Sequence, residues 1–400
     1  MSEMSYLEKL LDGVEVEWRN LGDTSLFEIA NNGRKPVKAS LRIAGETPYY
    51  GANNIQDYVD GYTHDGEYVL IAEDGSASLE NYSIQYATGK FWANNHVHVV
   101  RGKERVHSRF LYHYLCIVNF LPFLTGGGRA KLTKGQLIEI PVPIPCPDNP
   151  EKSLAIQSEI VRILDKFSAL TAELTAELNM RKKQYNYYRD QLFSFGAHDV
   201  KRLKLGELCV IGDGLHGTPE YDANGDYFFI NGNNLGYQKI SFNDNTKKVN
   251  DSMFKKHGIH FDPINTVFLS INGTIGNVSF YNNEKIVLGK SVAYFKIKSP
   301  ELHTRYLFYF LQTNYAKQYF ENQKTGSTIK NLGLKSLRAF EIPIPSYDEQ
   351  LYIVATMDKF YNLTNSITEG LPREIELRQK QYEYYRDLLF SFPKPETVSN

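Results

Sequence analysis

The chain has few cysteines, no long apolar run and almost no net charge among its 400 residues. Cys116, Cys146 and Cys209 are scattered and odd in number, which argues against a disulfide framework and indicates a reducing cytoplasm. No stretch approaches the roughly 18 apolar residues that a membrane-spanning helix needs, and the acidic N-terminal segment lacks a signal-peptide core. A net charge of −1 is by itself evidence against a nucleic-acid partner, so any such claim must rest on the distribution of charge.

Motifs of catalysis are also scarce. The Asn/Asp-Pro-Pro-aromatic clamp of a DNA aminomethyltransferase is missing, and so is a glycine-rich cofactor loop after a first strand. His96 and His98 have metal-like spacing, but alternate positions on a strand without a third ligand nearby favour a structural role. We therefore predict no catalytic residue, no metal site and no cofactor in this chain.

The chain repeats itself. The segment RKKQYNYYRDQLFSF at 181–195 recurs as RQKQYEYYRDLLFSF at 378–392, with 12 of 15 positions identical. The segment EIPVP at 139–143 recurs as EIPIP at 341–345, whereas the regions between these landmarks have drifted apart. Two copies of an enzyme domain would be expected to share catalytic residues. A scaffold that holds two different readers would instead conserve the scaffold and let the readers differ.

A coiled-coil pattern follows each EIP(V/I)P segment. Apolar residues recur at alternating steps of three and four, with one additional step of four near the tandem TAELTAEL at 171–178 in the first copy. We predict two helices of about 40 residues, or roughly 60 Å. Because both copies lie in one chain, we expect their seams to pair with each other rather than with a foreign helix. Pro372 predicts a bend or restart near Gly370.

The remaining segments are typical of globular mixed α/β domains, so the predicted fold class is α/β (α+β) with an internal repeat. We expect buried strands at 68–72 and 266–271 and amphipathic helices at 109–120 and 305–318. The predicted divisions are an N-terminal helical segment at 1–15, globular domains at 16–147 and 198–345, a central helical region at 148–197 and a C-terminal helical region at 346–400.

Charge is unevenly distributed over the globular domains. Residues 200–345 carry 18 Lys and Arg against 12 Asp and Glu. Residues 51–100 carry one base and seven acids, and residues 101–138 carry seven bases and one acid. Such polarity fits a face directed at an anionic partner, although ordinary solvated charge is the competing explanation.

Asparagine-rich and basic loops are the best candidates for DNA contact. Asparagine can pair bidentately with adenine, but Asn and Gly equally favour turns, and both interpretations stay open. Small residues, hydroxyls and cations at 125–134 and 325–332 suit close approach to phosphates. The candidates in the first copy are Arg34, Lys35, Lys38, Arg42, Tyr50, Asn53, Asn54, Arg129, Lys131 and Lys134. The candidates in the second copy are Asn231, Asn233, Asn234, Ser270, Asn272, Thr274, Ser327, Thr328 and Lys330.

These features together resemble the specificity subunit of a type I restriction–modification system. The resemblance rests on the two EIP(V/I)P segments, the two KQYxYYRDxLF ends, the EGLP at 369–372 and the TAEL tandem, and it extends over essentially the whole chain. It implies two target-recognition domains held apart by two antiparallel helical regions related by a pseudo-twofold. Each domain would read one half of a split DNA target, and the helices would set the gap. EGLP is missing from the first helix, so the pseudo-twofold is imperfect in its middle.

The resemblance also implies partners and a non-catalytic role. The expected partners are double-stranded DNA, two modification (methyltransferase) subunits and restriction subunits, with no membrane. S-adenosylmethionine, ATP and Mg would be bound by those subunits, which carry the methyltransferase and endonuclease activities. The alternatives are a fused or stand-alone DNA methyltransferase or nuclease, and a specificity subunit of a related system with fused cutting and methylating partners.

Overall fold

A computed structural model describes residue 10 and residues 13–126, 130–196, 199–365 and 370–392. The chain divides into two compact units: unit 1 is Met1–Leu174 with Ile375–Asn400, and unit 2 is Thr175–Glu374. The boundary at residues 174 and 175 falls between the two copies of TAEL. Most of the N-terminal helical segment predicted at 1–15 lies outside the described residues. Of the part that is described, Leu10 is helical and packs against the core of unit 1.

Unit 1 is built on three antiparallel or mixed sheets. Strand β1 pairs with β10, a four-stranded sheet has the order β2-β9-β6-β7, and a second has the order β4-β3-β8-β5. Strands β1–β10 are Val16–Asn20, Phe27–Ile29, Ala44–Tyr50, Ile55–Val59, His64–Asp65, Tyr68–Ala72, Ile84–Ala87, Lys90–Ala93, Val97–Gly102 and Pro141–Pro145. Its short helices are α1 (Ser108–Leu115) and α2 (Lys134–Leu137), and α3 (Pro150–Leu192) begins in this unit.

Unit 2 repeats this plan with its own sheets, ordered β11-β21, β12-β18-β15-β16, β14-β13-β17 and β19-β20. Strands β11–β21 are Lys201–Lys204, Cys209–Asp213, Tyr227–Ile230, Lys248–Val249, Thr266–Ser270, Val278–Phe280, Ile286–Leu288, Val292–Ile297, Lys324–Thr325, Asn331–Leu332 and Glu341–Ile344. Helices α4–α10 are Leu205–Leu208, Asp251–His257, Thr304–Phe310, Asn314–Gln323, Leu334–Ala339, Tyr347–Asn365 and Leu371–Leu389, of which α10 lies mostly in unit 1. Within the described ranges, no helix combines the length and apolarity that a membrane crossing would need.

The two predicted buried strands are confirmed as β6 and β15, and every residue of both is buried. Each lies between two antiparallel neighbours, so both edges are paired. Successive side chains of each strand pack alternately into two different hydrophobic clusters, so both faces are covered as well, which is why the sequences lack alternation. The predicted helix at 109–120 was too long, because α1 ends at Leu115. The predicted helix at 305–318 is two helices, since Thr313 caps α7 by accepting a hydrogen bond from the backbone nitrogen of Ala316.

The EIP(V/I)P segments close each globular part. In unit 1, β10 pairs antiparallel with β1, with Trp18 opposite Pro143. In unit 2, β21 pairs with β11 in the same way, with Leu203 opposite Ile342. The prolines alternate with Val or Ile, so the residues between them supply the backbone N–H groups of the two-stranded ladder. The chain therefore enters and leaves each globular part side by side, directly before a long helix.

The long helices pair as expected. α3 has 43 residues, whereas its counterpart is interrupted into α9 and α10 at the predicted place, where Gly370 has a φ of +81°. In unit 1, Phe167 of α3 stacks on Tyr385 of α10 with ring centroids 5.1 Å apart. In unit 2, Tyr188 of α3 stacks on Phe360 of α9 at 5.5 Å. The first half of α3 thus contacts α10, and its second half contacts α9. Because α9 precedes α10 in the chain, α3 is antiparallel to both.

An aspartate at the same place in each copy ties the long helices to the globular parts. Asp165 accepts hydrogen bonds from Nε of Arg109 and Nε2 of His113, both at 2.8 Å. Asp358 accepts hydrogen bonds from the guanidinium of Arg305 and the hydroxyl of Tyr309. The same carboxylate in each copy thus connects a long helix to its globular part.

Candidate nucleic-acid interface

Three candidate loops of unit 2 converge, and we call residues 231–234, 272–276 and 326–330 the unit 2 loop cluster. The backbone nitrogen of Gly273 donates to the carbonyl of Lys330 at 3.1 Å, and Asn272 forms an antiparallel bridge with Asn331. The hydroxyl of Thr274 donates to Oδ1 of Asn233 at 3.5 Å. The three segments that the sequence analysis singled out therefore form one surface.

Some candidates of this cluster support the fold instead of facing outward. Oδ1 of Asn234 accepts from the backbone nitrogen of Asn231 at 2.9 Å, and its Nδ2 donates to Ser241 and Thr246. Ser270 is fully buried, and its hydroxyl accepts from the backbone nitrogen of Asn277 at 2.8 Å. For Asn234 and Ser270 the structure thus favours the role of turn and strand-end support over base contact.

The other candidates of unit 2 are accessible. Asn231 is exposed, although its Oδ1 accepts from the hydroxyl of Ser291 at 3.1 Å, and Asn272 is half-buried. Nζ of Lys330 donates to the carbonyl of Gly326 at 2.9 Å, a neutral partner that leaves the ammonium charge unbalanced. The exposed candidates of the cluster are Asn231, Asn233, Thr274, Ser327, Thr328 and Lys330.

Unit 1 brings together the equivalent loops, and we call residues 51–54, 73–77, 125–126 and 130–131 the unit 1 loop cluster. Asn53 clamps the second loop: its Nδ2 donates to the carbonyl of Gly75, and its Oδ1 accepts from the backbone nitrogen of Ala77, both at 2.8 Å. Asp74 forms an antiparallel bridge with Lys131. Arg129, a predicted contact, lies outside the described residues.

Cations of the unit 1 loop cluster are paired with acids that the sequence analysis did not single out. Glu73, whose side chain is 15% exposed, accepts from Arg34 at 2.6 Å and forms an ion pair with Lys131 at 2.9 Å. Burial alone would raise the pKa of Glu73, but the hydrogen bonds from Arg34 and Lys131 outweigh it and hold that pKa below its usual range. Asp74 contacts Nδ1 of His96 at 2.6 Å. The positive charge at this surface is therefore largely balanced.

His98 behaves as a structural residue. It is fully buried, its Nδ1 is 2.8 Å from Nδ2 of Asn31, and its Nε2 is 2.7 Å from the carbonyl of Leu132. Burial is the main cause that lowers the pKa of His98. Across the described part of the chain, no group of three or more His, Cys, Asp or Glu side chains is placed to hold a metal ion.

The strip Arg34, Lys35, Lys38 and Arg42 does not act as one basic surface. Nη1 of Arg34 also donates to the carbonyl of Val97 at 2.9 Å, so this guanidinium points into the fold. Arg42 lies over the ring of Tyr49, 4.1 Å from its centroid, and donates to Asp57. The side chains of the strip that remain exposed are Lys35 and Lys38.

The remaining candidates of unit 1 are Tyr50, Asn54 and Lys134, which differ in their exposure and contacts. Tyr50 is buried, 9% exposed, with its ring edge-on to Phe91 in the core, so the structure does not offer it to a base. Oδ1 of Asn54 accepts from the backbone nitrogen of Ile55 at 2.8 Å, as in a turn. Lys134 is exposed at the first residue of α2.

The sequence contained a signal for the acids that was not used. Glu73 and Asp74 directly follow the buried strand β6, in the same place as Ile271 and Asn272 after β15. Leu132 donates its backbone N–H to Glu73, and Leu332 donates to Ile271, both at 2.8 Å. Aligning the two copies on their buried strands would have placed the acids in the cluster.

Comparison with known proteins identifies the family. The family described as "Type I restriction modification DNA specificity domain" matches residues 14–181 and 198–377. A putative type I restriction enzyme specificity subunit of Haemophilus influenzae is 46% identical over 400 residues, covering 97% of this chain and 98% of that protein. The type I restriction enzyme EcoR124I/EcoR124II specificity subunit of Escherichia coli is 38% identical over 432 residues, covering 100% of each.

A solved structure shares the fold. The crystal structure of a Type-I restriction-modification system S subunit from M. genitalium has a TM-score of 0.56 and 14% identity, covering 96% of this chain and 98% of that chain. At that identity the likeness concerns the fold alone. The family match and both relatives, however, extend over nearly the whole sequence. The chain therefore belongs to the type I restriction modification DNA specificity domain family.

Proposed function

We propose that this chain is the DNA sequence-recognition subunit of a type I restriction–modification complex, and that each unit reads one half of a bipartite target. The observation that carries the proposal is the repeated frame: two loop clusters with the same backbone hydrogen bonds present different side chains. A protein that reads two different half-sites needs a similar loop arrangement in both units and different side chains on those loops.

The proposed contacts are candidates that the structure leaves at least partly accessible, in the loop clusters or near them in the sequence. In unit 2, Asn233 and Asn272 are the proposed base contacts, and Lys330 is a proposed phosphate contact. In unit 1, the proposed contacts are Lys35, Lys38, Lys131 and Lys134. We propose target-recognition domains at 16–147 and 198–345, joined by helical regions at 148–197 and 346–400. The helical regions would set the unspecified gap.

The proposed protein partners are two modification subunits together with restriction subunits. The near-identical segments 181–195 and 378–392 support two equivalent docking surfaces, since Tyr187 and Tyr384 occupy matching positions and are 61% and 56% exposed. Tyr185, by contrast, is buried with its hydroxyl hydrogen-bonded to that of Tyr237, and Tyr188 packs on Phe360 of the partner helix. Methyl transfer and cleavage, with S-adenosylmethionine, ATP and Mg²⁺, would belong to those partners, and this chain would itself be non-catalytic.

The test is methylome sequencing of cells with and without the gene. We expect one split motif with a fixed gap to lose its methylation when the gene is deleted and to regain it on complementation. A methylome that does not change on deletion would contradict the proposal. Methyl transfer by the purified chain alone would favour the fused-enzyme alternative.

A further inference from the structure

A cavity of about 340 Å³ in unit 2 is lined by residues of α3 and by residues 235–237 and 276–278. Its polar lining includes Lys182, Asn186 and Arg189 from α3, Asn277 directly before β16, and Gln312 and Lys317. This size falls within the range of small-ligand pockets, about 300–1,000 Å³. Neither the loop contacts nor the scaffold contacts described above account for it.

The cavity is rich in positive charge. Three cations line it, and the lining contains no carboxylate among the described residues. The side chain of Arg189 is only 4% exposed, and its nearest acid, Asp190, lies 3.2 Å away. That carboxylate also accepts the backbone N–H of Asn314 at 3.0 Å, so it is shared. The ammonium groups of Lys182 and Lys317 form no hydrogen bond or ion pair within the described part of the chain.

The like charges act on one another. Partial burial, followed by the proximity of Arg189, lowers the pKa of Lys317. An anion placed among the three cations would offset both effects on the pKa of Lys317, because it supplies the opposite charge that the lining lacks. Guanidinium and ammonium groups together are the usual partners of phosphate oxygens.

The cavity shares its wall with the unit 2 loop cluster. Gly276 ends the loop at 272–276 and also lines the cavity, and Gly236 follows the loop at 231–234. The backbone nitrogen of Asn277 is held by Ser270 at the end of β15. A phosphate bound here would therefore lie next to the proposed base readers.

We infer that Lys182, Arg189 and Lys317 form a phosphate-binding site in unit 2. The inference rests in part on the proposed function, because the phosphate has two possible sources: the backbone of DNA held by the unit 2 loop cluster, or a free phosphate-bearing small molecule. The site belongs to unit 2 alone, since the repeat places Gln379 where unit 2 has Lys182. Arg386 matches Arg189, but its side chain is 19% exposed.

The test uses a double variant of the chain that carries both Lys182→Ala and Lys317→Ala. Both residues are exposed, so their truncation leaves the core intact. Lys183→Ala is the matched control, because Lys183 is an exposed neighbour on the same helix that does not line the cavity. Arg189 is left unchanged, because it is buried and its loss would also disturb packing.

The first arm titrates sodium pyrophosphate into each protein by calorimetry. The second arm measures the affinity for a duplex that contains the methylated motif, as a function of salt. If the phosphate is free, the double variant binds pyrophosphate at least about ten-fold more weakly than Lys183→Ala does. If it belongs to DNA, the slope of log K against log salt becomes shallower by about two in the double variant only.

Either result supports the site and names its source. Equal behaviour of the double variant and Lys183→Ala in both arms overturns the inference. If the unmodified chain shows no sequence preference for the duplex, the proposed function fails. The pyrophosphate titration then tests the phosphate-binding site independently of DNA.

Discussion

The loop clusters of unit 1 and unit 2 share a backbone frame and differ in charge. In unit 1 the backbone nitrogen of Leu132 donates to the carbonyl of Glu73, and in unit 2 that of Leu332 donates to the carbonyl of Ile271, both at 2.8 Å. The frame places Glu73 and Asp74 in one unit where Ile271 and Asn272 lie in the other. Backbone contacts thus fix where the loops meet, and the side chains that they present are free to differ.

The difference has an electrostatic consequence. In unit 1, Glu73 balances Arg34 and Lys131. In unit 2, the ammonium of Lys330 contacts only a carbonyl oxygen among the described residues. We therefore expect unit 2 to draw more of its DNA affinity from phosphates. Unit 1 would depend more on the shape and hydrogen-bonding pattern of its loops.

The largest expected effect of a single substitution is on the stability of unit 1. Glu73→Ala leaves the guanidinium of Arg34, whose side chain is 18% exposed, without its carboxylate, so the free energy of unfolding should fall by about 2–3 kcal/mol. Both tryptophans of the chain, Trp18 and Trp92, lie in unit 1. Urea unfolding followed by tryptophan fluorescence therefore reports on the correct unit.

Glu73→Gln supplies the pH control. Because hydrogen bonding lowers the pKa of Glu73 in the folded state, its stabilising contribution is fully present above the usual glutamate pKa of 4.5. It is lost as the pH falls through the folded-state pKa. The difference in unfolding free energy between the unmodified chain and Glu73→Gln should shrink on acidification. A difference that does not change with pH would show that the carboxylate charge is unimportant.

The two asparagines test whether equivalent loops have different tasks. Asn53→Ala removes two hydrogen bonds that clamp a loop and should lower the free energy of unfolding by about 1–2 kcal/mol. Asn233→Ala removes only one long contact, so stability should change by less than about 0.5 kcal/mol. Its effect should instead be on one base position of one half-site, by about 1–3 kcal/mol.

The measurements for this pair are fluorescence-detected unfolding and binding to a panel of duplexes with single-base changes. The comparison between the units fails if Asn233→Ala destabilises the protein as much as Asn53→Ala does. It also fails if Asn233→Ala weakens binding equally to every duplex.

The two lysines test the difference in charge. Lys330→Ala should make the salt slope of DNA binding shallower by about one unit and weaken binding to all sequences alike. Lys131→Ala should have a smaller effect, because Glu73 already balances that ammonium. Fluorescence anisotropy at several salt concentrations measures both slopes. Equal slopes for the two variants would remove the electrostatic distinction between the units.

A change in α3, which begins in unit 1 and ends in unit 2, tests spacing rather than affinity. One further TAEL after Leu178 lengthens α3 by four residues, about 6 Å, and rotates its end by roughly 40° beyond a full turn, which a supercoil can absorb. Because base pairs rise by about 3.4 Å and the helices can be tilted to the DNA, we expect a gap wider by about one base pair. Genome-wide mapping of methylated sites in the insertion strain measures it. Full activity with an unchanged gap would show that α3 is not the ruler.

Much of the scaffold could be predicted from the sequence, because it is repeated and periodic. The restart at Gly370 followed from Pro372, whose ring is tolerated only in the first turn of a helix. The strands β6 and β15 followed from short apolar runs. The polar composition of the loops predicted them as candidates for DNA contact, whereas their convergence is a finding of the structure.

The pairing of side chains could not be predicted in the same way. Arg34 and Glu73 are far apart in the sequence, and only the tertiary fold brings the guanidinium to the carboxylate. Tyr50 resembles a base-stacking residue in sequence, but β3 turns its ring into the core against Phe91. The apolar pattern predicts one continuous helix at 305–318, but Thr313 caps a new helix that begins at Asn314 and so interrupts it.

The most direct test of the central claim is an exchange of one recognition domain followed by methylome sequencing. Residues 198–345 would be replaced with the equivalent domain of a relative, with β1, β10 and the long helices left as they are. The account predicts that one half of the methylated motif changes while the other half and the gap stay the same. A change in both halves, or in the gap, would contradict the claim that two independent readers share one scaffold.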